Sequence, residues 1–244
     1  MGSMSKTNSS YSVFAPFYDA AMGDMSDKVT FLKKLLREHA PEAQTLLEMA
    51  CGTGIITKEL SSVYDVAGLD LSPEMIDIAR KKLPGVKFKV GDMAATDFGK
   101  TFDVVLCVFD SVNHLEKWDD WRQMFQNVHK HLNDGGLFIF DINTIQRLEW
   151  LANNPPFSKQ LGNDYMVMGV QKEDEKFNWD VKIFQQEKDG RYALHQDMIH
   201  EVSFPVEDIQ KELSELFTVE DIVDVRNLEP TDPNWRPFFV CRKK

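Results

Sequence analysis

The sequence predicts an α/β protein: a doubly wound sheet of seven strands that carries an antiparallel β insertion after its fifth strand. Between Gln44 and Ile142 five short apolar runs alternate with helical patterns, the signature of strands joined by crossover helices. Acidic, polar or glycine residues gather at the carboxyl ends of those runs, where open α/β sheets bind ligands. From Tyr165 to Phe204 the helical period gives way to β-rich stretches broken by charged turns.

At 244 residues one core with an insertion is expected rather than two independent domains. Met1-Gly2-Ser3-Met4 reads as an expression scar before a native methionine, and residues 1–10 as a disordered tag and tail. From Tyr11 to Met22 a helix would place Phe14, Phe17 or Tyr18, and Ala21 on one face. Asp27 to His39 has Val29, Leu32, Leu35 and Leu36 at helical spacing and stops before Pro41, so residues 11–40 form the N-terminal helices. Gln44–Met49 is the first strand and leads through Gly52 and Gly54 into a helix. Val63–Leu69 is the second, ending at Asp70, and Ser72-Pro73-Glu74 supplies an N-cap, a first-turn proline and a first-turn acid.

Pro84-Gly85 stops that helix before a third strand, Val86–Val90, which ends at Gly91-Asp92-Met93. The fourth, Phe102–Phe109, is almost continuously apolar, as a strand buried on both faces should be. Trp118, Trp121, Phe125, Val128 and Leu132 mark an amphipathic helix whose tryptophans face the core. Asn133-Asp134-Gly135-Gly136 then turns into a fifth strand, Leu137–Ile142. The insertion, residues 153–204, contains strands at Tyr165–Val170, Phe177–Gln186 and Tyr192–Phe204. A helix at Pro205–Leu216 and strands at Thr218–Val225 and Phe238–Arg242 close the core, which therefore comprises 41–152 and 205–244.

Composition narrows the function. A net charge of −11 and scattered basic clusters disfavour a surface that tracks phosphates, so nucleic acid is not the expected partner. No run approaches 18 apolar residues, so no membrane span is expected. Three separated cysteines make no disulfide framework, no signal peptide is visible, and a cytoplasmic location is expected. No Cys/His spacing suggests a metal site.

The chemistry concentrates in Glu48-Met49-Ala50-Cys51-Gly52-Thr53-Gly54. A dinucleotide turn wants a third glycine or alanine three places on, but Thr57 stands there, and Glu48 repels a phosphate chain while suiting a cation. An NAD-dependent oxidoreductase is thereby disfavoured. S-adenosylmethionine (SAM) carries an ammonium and a sulfonium and no phosphate. The segment resembles motif I of the class I SAM-dependent methyltransferases, Asp/Glu-x-Gly-x-Gly-x-Gly, departing from it at Ala50. The matches run from Tyr11 to Asn143.

The resemblance implies a Rossmann-like fold with a reversed strand pair at the sheet edge, and SAM as cofactor. Its candidate binding residues begin with Glu48, Ala50, Cys51, Gly52 and Gly54 of the turn. Asp70, with Leu71 beside it, is expected to accept hydrogen bonds from the ribose hydroxyls. Asp92 would take the adenine amino group, with Met93 and Met75 on either face of the ring, and Val108 and Phe109 end the fourth strand above the same crevice. Tyr11 and Tyr18 match the aromatic positions of a segment, here Phe14-x-x-x-Tyr18-Asp19, that closes as a lid over the cofactor.

Methyl transfer from a sulfonium is an in-line displacement, so the main requirement is a nucleophile held near the methyl carbon with its lone pair free. An acceptor amine protonated in water needs a base, and His114, in the polar loop Asp110–Leu115, is the candidate. Asp110 and Asn113 are expected to orient it or grip the substrate. Some aminosugar N-methyltransferases, which the chain resembles, share a histidine in this loop and an antiparallel insertion. The expected acceptor is a small molecule, an amine foremost, with Trp179, Arg191, Tyr192 and Arg236 as candidate pocket residues. Other readings are a SAM-binding protein without catalysis and a methyltransferase acting on RNA or protein. Asn154-Pro155-Pro156-Phe157 copies a motif of some of the latter, but it lies beyond the fifth strand and is read as a helix terminator. The insertion is expected to cap the site or to form a homodimer contact.

Overall fold

In the computed structural model, which describes residues 11–224 and 235–244, the alternating pattern folds as one mixed sheet between helices. Chain order runs from α1 (Tyr18–Met22) and α2 (Ser26–His39) to β1 (Thr45–Met49), α3 (Ile55–Leu60), β2 (Asp65–Asp70), α4 (Pro73–Lys82) and β3 (Lys87–Val90). Next come β4 (Phe102–Cys107), α5 (Trp118–His131), β5 (Leu132–Asp141) and α6 (Ile145–Ala152). The insertion is β6 (Phe157–Leu161), β7 (Asp164–Glu173), β8 (Lys176–Gln186) and β9 (Tyr192–Glu201); α7 (Val206–Leu216), β10 (Phe217–Asp224) and β11 (Pro237–Lys243) finish the chain.

The main sheet has the order β10-β11-β5-β4-β1-β2-β3. Strands β1 to β5 pair in parallel, and the order reverses between β1 and β4, which opens a crevice beyond their carboxyl ends. Of the expected reversed pair, only β11 runs against the rest: it pairs antiparallel with both β5 and β10. Successive side chains of a strand point to opposite faces, so the sheet carries two cores. Leu47, Met49, Val105, Cys107, Phe138 and Phe140 pack with Trp121 and Phe125 of α5 on one face. Leu46, Val104, Leu106 and Ile139 pack with Leu32 and Leu36 of α2 on the other. Trp121 is fully buried and donates its indole N–H to Leu115 O at 2.8 Å, the core role expected of it.

Several boundaries move for identifiable reasons. Tyr11–Met22 is not one helix: a turn and a short 3₁₀ segment, Ala15–Phe17 with Pro16 inside it, precede α1, and Gly23 at φ +68° ends it. Strand β4 stops at Cys107 because Phe109 and Asp110 take positive φ, 63° and 54°. Strand β5 begins at Leu132, absorbing the Gly135 turn (φ +69°) as an irregularity against β4. Helix α6 starts at Ile145, where the Thr144 side chain accepts the Arg147 N–H. Its end matches expectation: Asn154 donates to Trp150 O, and Pro155-Pro156 lead out of the helix.

The insertion holds four strands in the order β6-β7-β8-β9, one more than the pattern suggested. Its inner face, through Met166, Val181, Ile183 and Ile199, packs on Phe14, with Tyr11 and Tyr18 against the same cluster. The N-terminal segment is therefore clamped between the insertion and the carboxyl end of β1. Residues 1–10 and Val225 lie outside the described residues. Among the described residues no helix is long and apolar enough to cross a membrane.

Candidate active site

Beyond β1, β2 and β4 the strand ends and the N-terminal segment enclose a cleft of about 880 Å³, counting its open mouth. It is lined by Tyr11, Tyr18, Ala50, Gly52, Asp70, Leu71, Met75, Asp92, Met93, Phe109 and His114, together with Ser72, Gly91, Ser111 and Leu115. A smaller recess shares Tyr18, Ala50, Phe109 and Ser111 with it and adds Glu48, Cys51 and Val108. Among the described residues no lysine or arginine lines either cavity, so their walls offer no cation to a pyrophosphate.

At the turn after β1 the backbone is left-handed at Ala50 (φ 55°), Gly52 (φ 54°) and Gly54 (φ 79°). For alanine this conformation costs about 1 kcal/mol, which explains the family's preference for glycine at position 50. Gly54 does not face the cleft. A β-carbon there would lie 3.3 Å from Leu83 Cδ1 and 3.4 Å from Ala79 Cβ, so its work is to seat the turn against α4. Cys51 likewise packs with Ile76, Ala79 and Phe88 and reaches only the recess; burial pushes its thiol up, leaving it inert.

Glu48 is 3% exposed and bonded to Thr57 Oγ1 of α3. Thr57 thus occupies the dinucleotide glycine's place in order to hold the motif acid. Burial pushes the Glu48 carboxyl up to about 8, against the Thr57 hydrogen bond and with the nearby Asp70 charge adding to the rise. Asp70 accepts the Gly52 N–H at 2.7 Å on Oδ2 and the Ser72 N–H at 2.9 Å on Oδ1, tying the glycine turn to β2. Burial raises its carboxyl, and those N–H groups oppose the rise.

Further along, the exposed Leu71 and buried Met75 give the cleft apolar walls, with half-buried Met93 beside them and Asp92 at the rim. Val108 is buried at the recess. Over the turn stands Tyr18, its ring 3.6 Å from where a Gly52 β-carbon would lie. The segment carrying it is latched by Asp19, which accepts from Thr53 Oγ1 and pairs with Lys82, and by Lys159 Nζ, which donates to Ala21 O at 2.6 Å. Burial pushes both the Tyr11 and Tyr18 phenols up, so both stay neutral.

His114 closes the far wall on the 3₁₀ segment Ser111–His114. Its Nδ1 lies 3.1 Å from His200 O, and a carbonyl only accepts, so Nδ1 carries the proton. In the neutral ring Nε2 is then the acceptor, and it faces the Tyr11 hydroxyl at 3.1 Å. Neither expected orienting partner touches it. Asn113 is fully buried and lines neither cavity; its amide donates to Asn143 O and Val202 O, and its oxygen accepts the Asn143 N–H. Asp110 is held instead by Arg236 and by Asn143 Nδ2 at 2.8 Å. Burial would raise Asp110, but Arg236, then His114 and Arg147, draw it below the usual carboxylate range.

The strand-end acid Asp141 completes this cluster: Oδ1 accepts the Phe109 N–H at 2.5 Å, and Oδ2 accepts the Asp110 N–H at 3.3 Å and Arg236 Nε at 2.5 Å. Of the other pocket residues expected from the sequence, Arg191 sits exposed on Asp189, Tyr192 is exposed, and Trp179 packs in the insertion. Glu201 went unnoticed. It lies inside the β-rich run Tyr192–Phe204, and nothing local announces that its carboxyl turns inward.

The donor set fits SAM: carboxylates for an ammonium and for hydroxyls, apolar walls for a flat ring, and no site for phosphate. Residues 46–136 match the model of a methyltransferase domain family. The chain is 37% identical over 142 residues to a dTDP-4-amino-2,3,4,6-tetradeoxy-D-glucose N,N-dimethyltransferase of Saccharopolyspora spinosa, a match covering 56% of this chain and 57% of that protein. The chain thus spans little more than half the length of that relative. A SAM-dependent methyltransferase of Clostridium acetobutylicum superposes with a TM-score of 0.83 at 26% identity, covering 96% of this chain and 98% of that one. The sugar N-methyltransferase KedS8 of a Streptoalloteichus species shares the fold, with a TM-score of 0.84 at 22% identity over 100% of this chain and 98% of its own. With the motif I turn, the strand-end acids and the sheet order all in place, residues 46–136 carry a methyltransferase-family domain, on a fold shared along nearly the whole chain with a SAM-dependent methyltransferase.

Proposed function

We propose that the protein methylates an amine nitrogen on a small, sugar-like acceptor. The observation that carries this reading is His114, whose Nε2, with the Tyr11 hydroxyl bonded to it, stands at a cleft otherwise built of carboxylates and apolar walls. The N,N-dimethyltransferase activity named for the Saccharopolyspora relative supports an amine acceptor. In this reading Glu48 faces the cofactor's ammonium from the recess, Asp70 its ribose hydroxyls and Asp92 its adenine amino group. Leu71, Met75 and Met93 pack on the ring, and Tyr11 and Tyr18 close the lid formed by residues 11–40. Bound SAM supplies an electrophilic methyl group on a sulfonium. The acceptor ammonium gives its proton to the Tyr11 hydroxyl oxygen as that hydroxyl passes its own proton to His114 Nε2, freeing the amine lone pair for in-line attack, while His200 O holds the imidazole in place.

The insertion, residues 153–204, caps the acceptor side, and its outer face, which carries exposed Tyr165, Tyr192 and Leu194, is a homodimer contact. The acidic balance supports small-molecule rather than nucleic-acid partners, and three unpaired, buried cysteines support a cytoplasmic setting. His114→Ala is expected to lower kcat about 100-fold at pH 7 while SAM affinity changes less than about 3-fold. The deficit shrinks as pH rises toward the acceptor amine's own pKa, because a neutral amine needs no base. Steady-state rates with aminosugar acceptors across pH 6–10 check this, and a pH-independent deficit would remove the base role.

A further inference from the structure

Phe109 and Asp110 are consecutive non-glycine residues in left-handed backbone, a costly arrangement that persists only where the surroundings over-determine it. Asp141 accepts both of their N–H groups, which accounts for the main chain. The side-chain lock is the Asp110 carboxylate, and it has three partners: Arg236, Asn143 Nδ2 and Glu201. Glu201, at the end of β9, is 3% exposed. Its Oε2 accepts the second N–H of the same Asn143 amide at 2.8 Å.

Two carboxyl groups in hydrogen-bond contact need one proton between them. Asp110 is the one that faces Arg236, so the proton belongs on Glu201, which donates to Asp110. Around the pair stand His114 on the Asp110 loop, Asp141 at the end of β5, Arg147 on α6, Arg236 before β11 and Tyr11 of the N-terminal segment. Ionising Glu201 would set two carboxylates against one amide, Asn143, with only that amide to hold them apart.

The residues on either side of Glu201 grip the loop by their main chain. His200 O fixes the His114 tautomer, and Val202 exchanges hydrogen bonds with Asn113, its N–H going to Asn113 O and its O accepting from Asn113 Nδ2. We propose that Glu201 is a positioning residue of the reaction: its protonated carboxyl locks Asp110, and through the 110–114 loop it holds His114 in its Nδ1–H form facing the cleft. Burial and the Asp110 charge push Glu201 well above the ordinary glutamate range, in keeping with that protonation. The inference deepens the proposed function and rests on it for the consequence in rate, but the state of His114 is measurable without any acceptor.

The test compares the full-length protein with Glu201→Gln and Glu201→Ala. Glutamine keeps both bonds, donating to Asp110 and accepting from Asn143; alanine keeps neither. Nitrogen-15 NMR of the imidazoles, with His114→Ala identifying the signal, is expected to show the Nδ1–H tautomer in the wild type and in Glu201→Gln, and a mixture in Glu201→Ala. In turnover, Glu201→Ala should lose at least 10-fold in kcat with SAM affinity within about 3-fold, since Glu201 lines neither cavity. Glu201→Gln should keep turnover and lack the alkaline decline expected of the wild type as Glu201 ionises. An unchanged His114 signal in Glu201→Ala, or a Glu201→Gln variant as impaired as alanine, overturns the assignment. If no amine is methylated at all, the proposed function falls while the NMR comparison still decides the role of Glu201.

Discussion

Replacing Glu48 by glutamine is expected to stabilise the ligand-free protein at pH 7 by about 3 kcal/mol and at the same time to weaken SAM binding at least 100-fold. The first half follows from linkage. The folded-state carboxyl titrates near 8 against an ordinary value of 4.5, so between those values the folded chain binds more protons than the unfolded one. Stability conferred by this group is therefore fully present below about 4.5 and is lost as pH rises toward and through 8. Glutamine keeps an oxygen for the Thr57 hydroxyl and carries no charge, so the advantage of the variant vanishes near pH 5 and is largest above pH 8. Urea unfolding at pH 5, 7 and 8.5 reads the difference directly. The second half follows from charge: a neutral amide does not offset the cofactor's ammonium. Glu48 is thus destabilising for the fold and needed for the ligand, a trade familiar at binding sites. Equal stability of the two proteins at pH 8.5 would contradict this account.

Arg236→Met should cost about 3–5 kcal/mol at pH 8, because it strands Asp110 and the fully buried Asp141 without their cation. In the wild type Arg236 is the strongest force drawing Asp110 down, so the stability from that pair is present at neutral pH and is lost as pH falls through the folded-state pKa of Asp110. In the variant the sign inverts: both carboxyls rise, and the deficit is smaller at pH 5, where they bind protons, than at pH 8. Arg236→Lys should recover only part of the loss, since an ammonium lacks the planar fork that reaches both acids. Urea midpoints at the two pH values check the ordering. A deficit that is the same at pH 5 and pH 8 would mean that Arg236 acts by packing alone.

Much of the lining of the cleft and its recess was legible because its signals are local. Glu48, Gly52, Asp70 and Asp92 each stand within a few residues of a strand's end, and strand ends are visible as apolar runs. Gly54 was misread because one spacing serves two purposes: the same left-handed turn that opens the cleft also seats α4. Asn113 was misread because a 3₁₀ segment turns neighbouring side chains in opposite directions, sending His114 to the cleft and Asn113 into the protein. Strand β6, Phe-Ser-Lys-Gln-Leu, has a mostly exposed pattern at a sheet edge and therefore no clean alternation to read.

The network behind His114 was out of reach for a different reason. Arg236 meets Asp110 across 126 positions of sequence, and Asn143 meets Glu201 across 58, so no window of local pattern contains either pair. Arg236 was noticed only as a candidate pocket residue. Its partners came from β11 lying against β5, a pairing that hydrophobic periodicity does not specify.

The central claim is that the turn after β1 and the acid ending β2 make a SAM site. Calorimetric titration of the purified protein with SAM tests it most directly, with NAD as the control ligand and Asp70→Ala as the control protein. SAM binding to the wild type, weakened at least 100-fold in Asp70→Ala, and no heat with NAD are the predicted results. NAD binding without SAM binding would contradict the account.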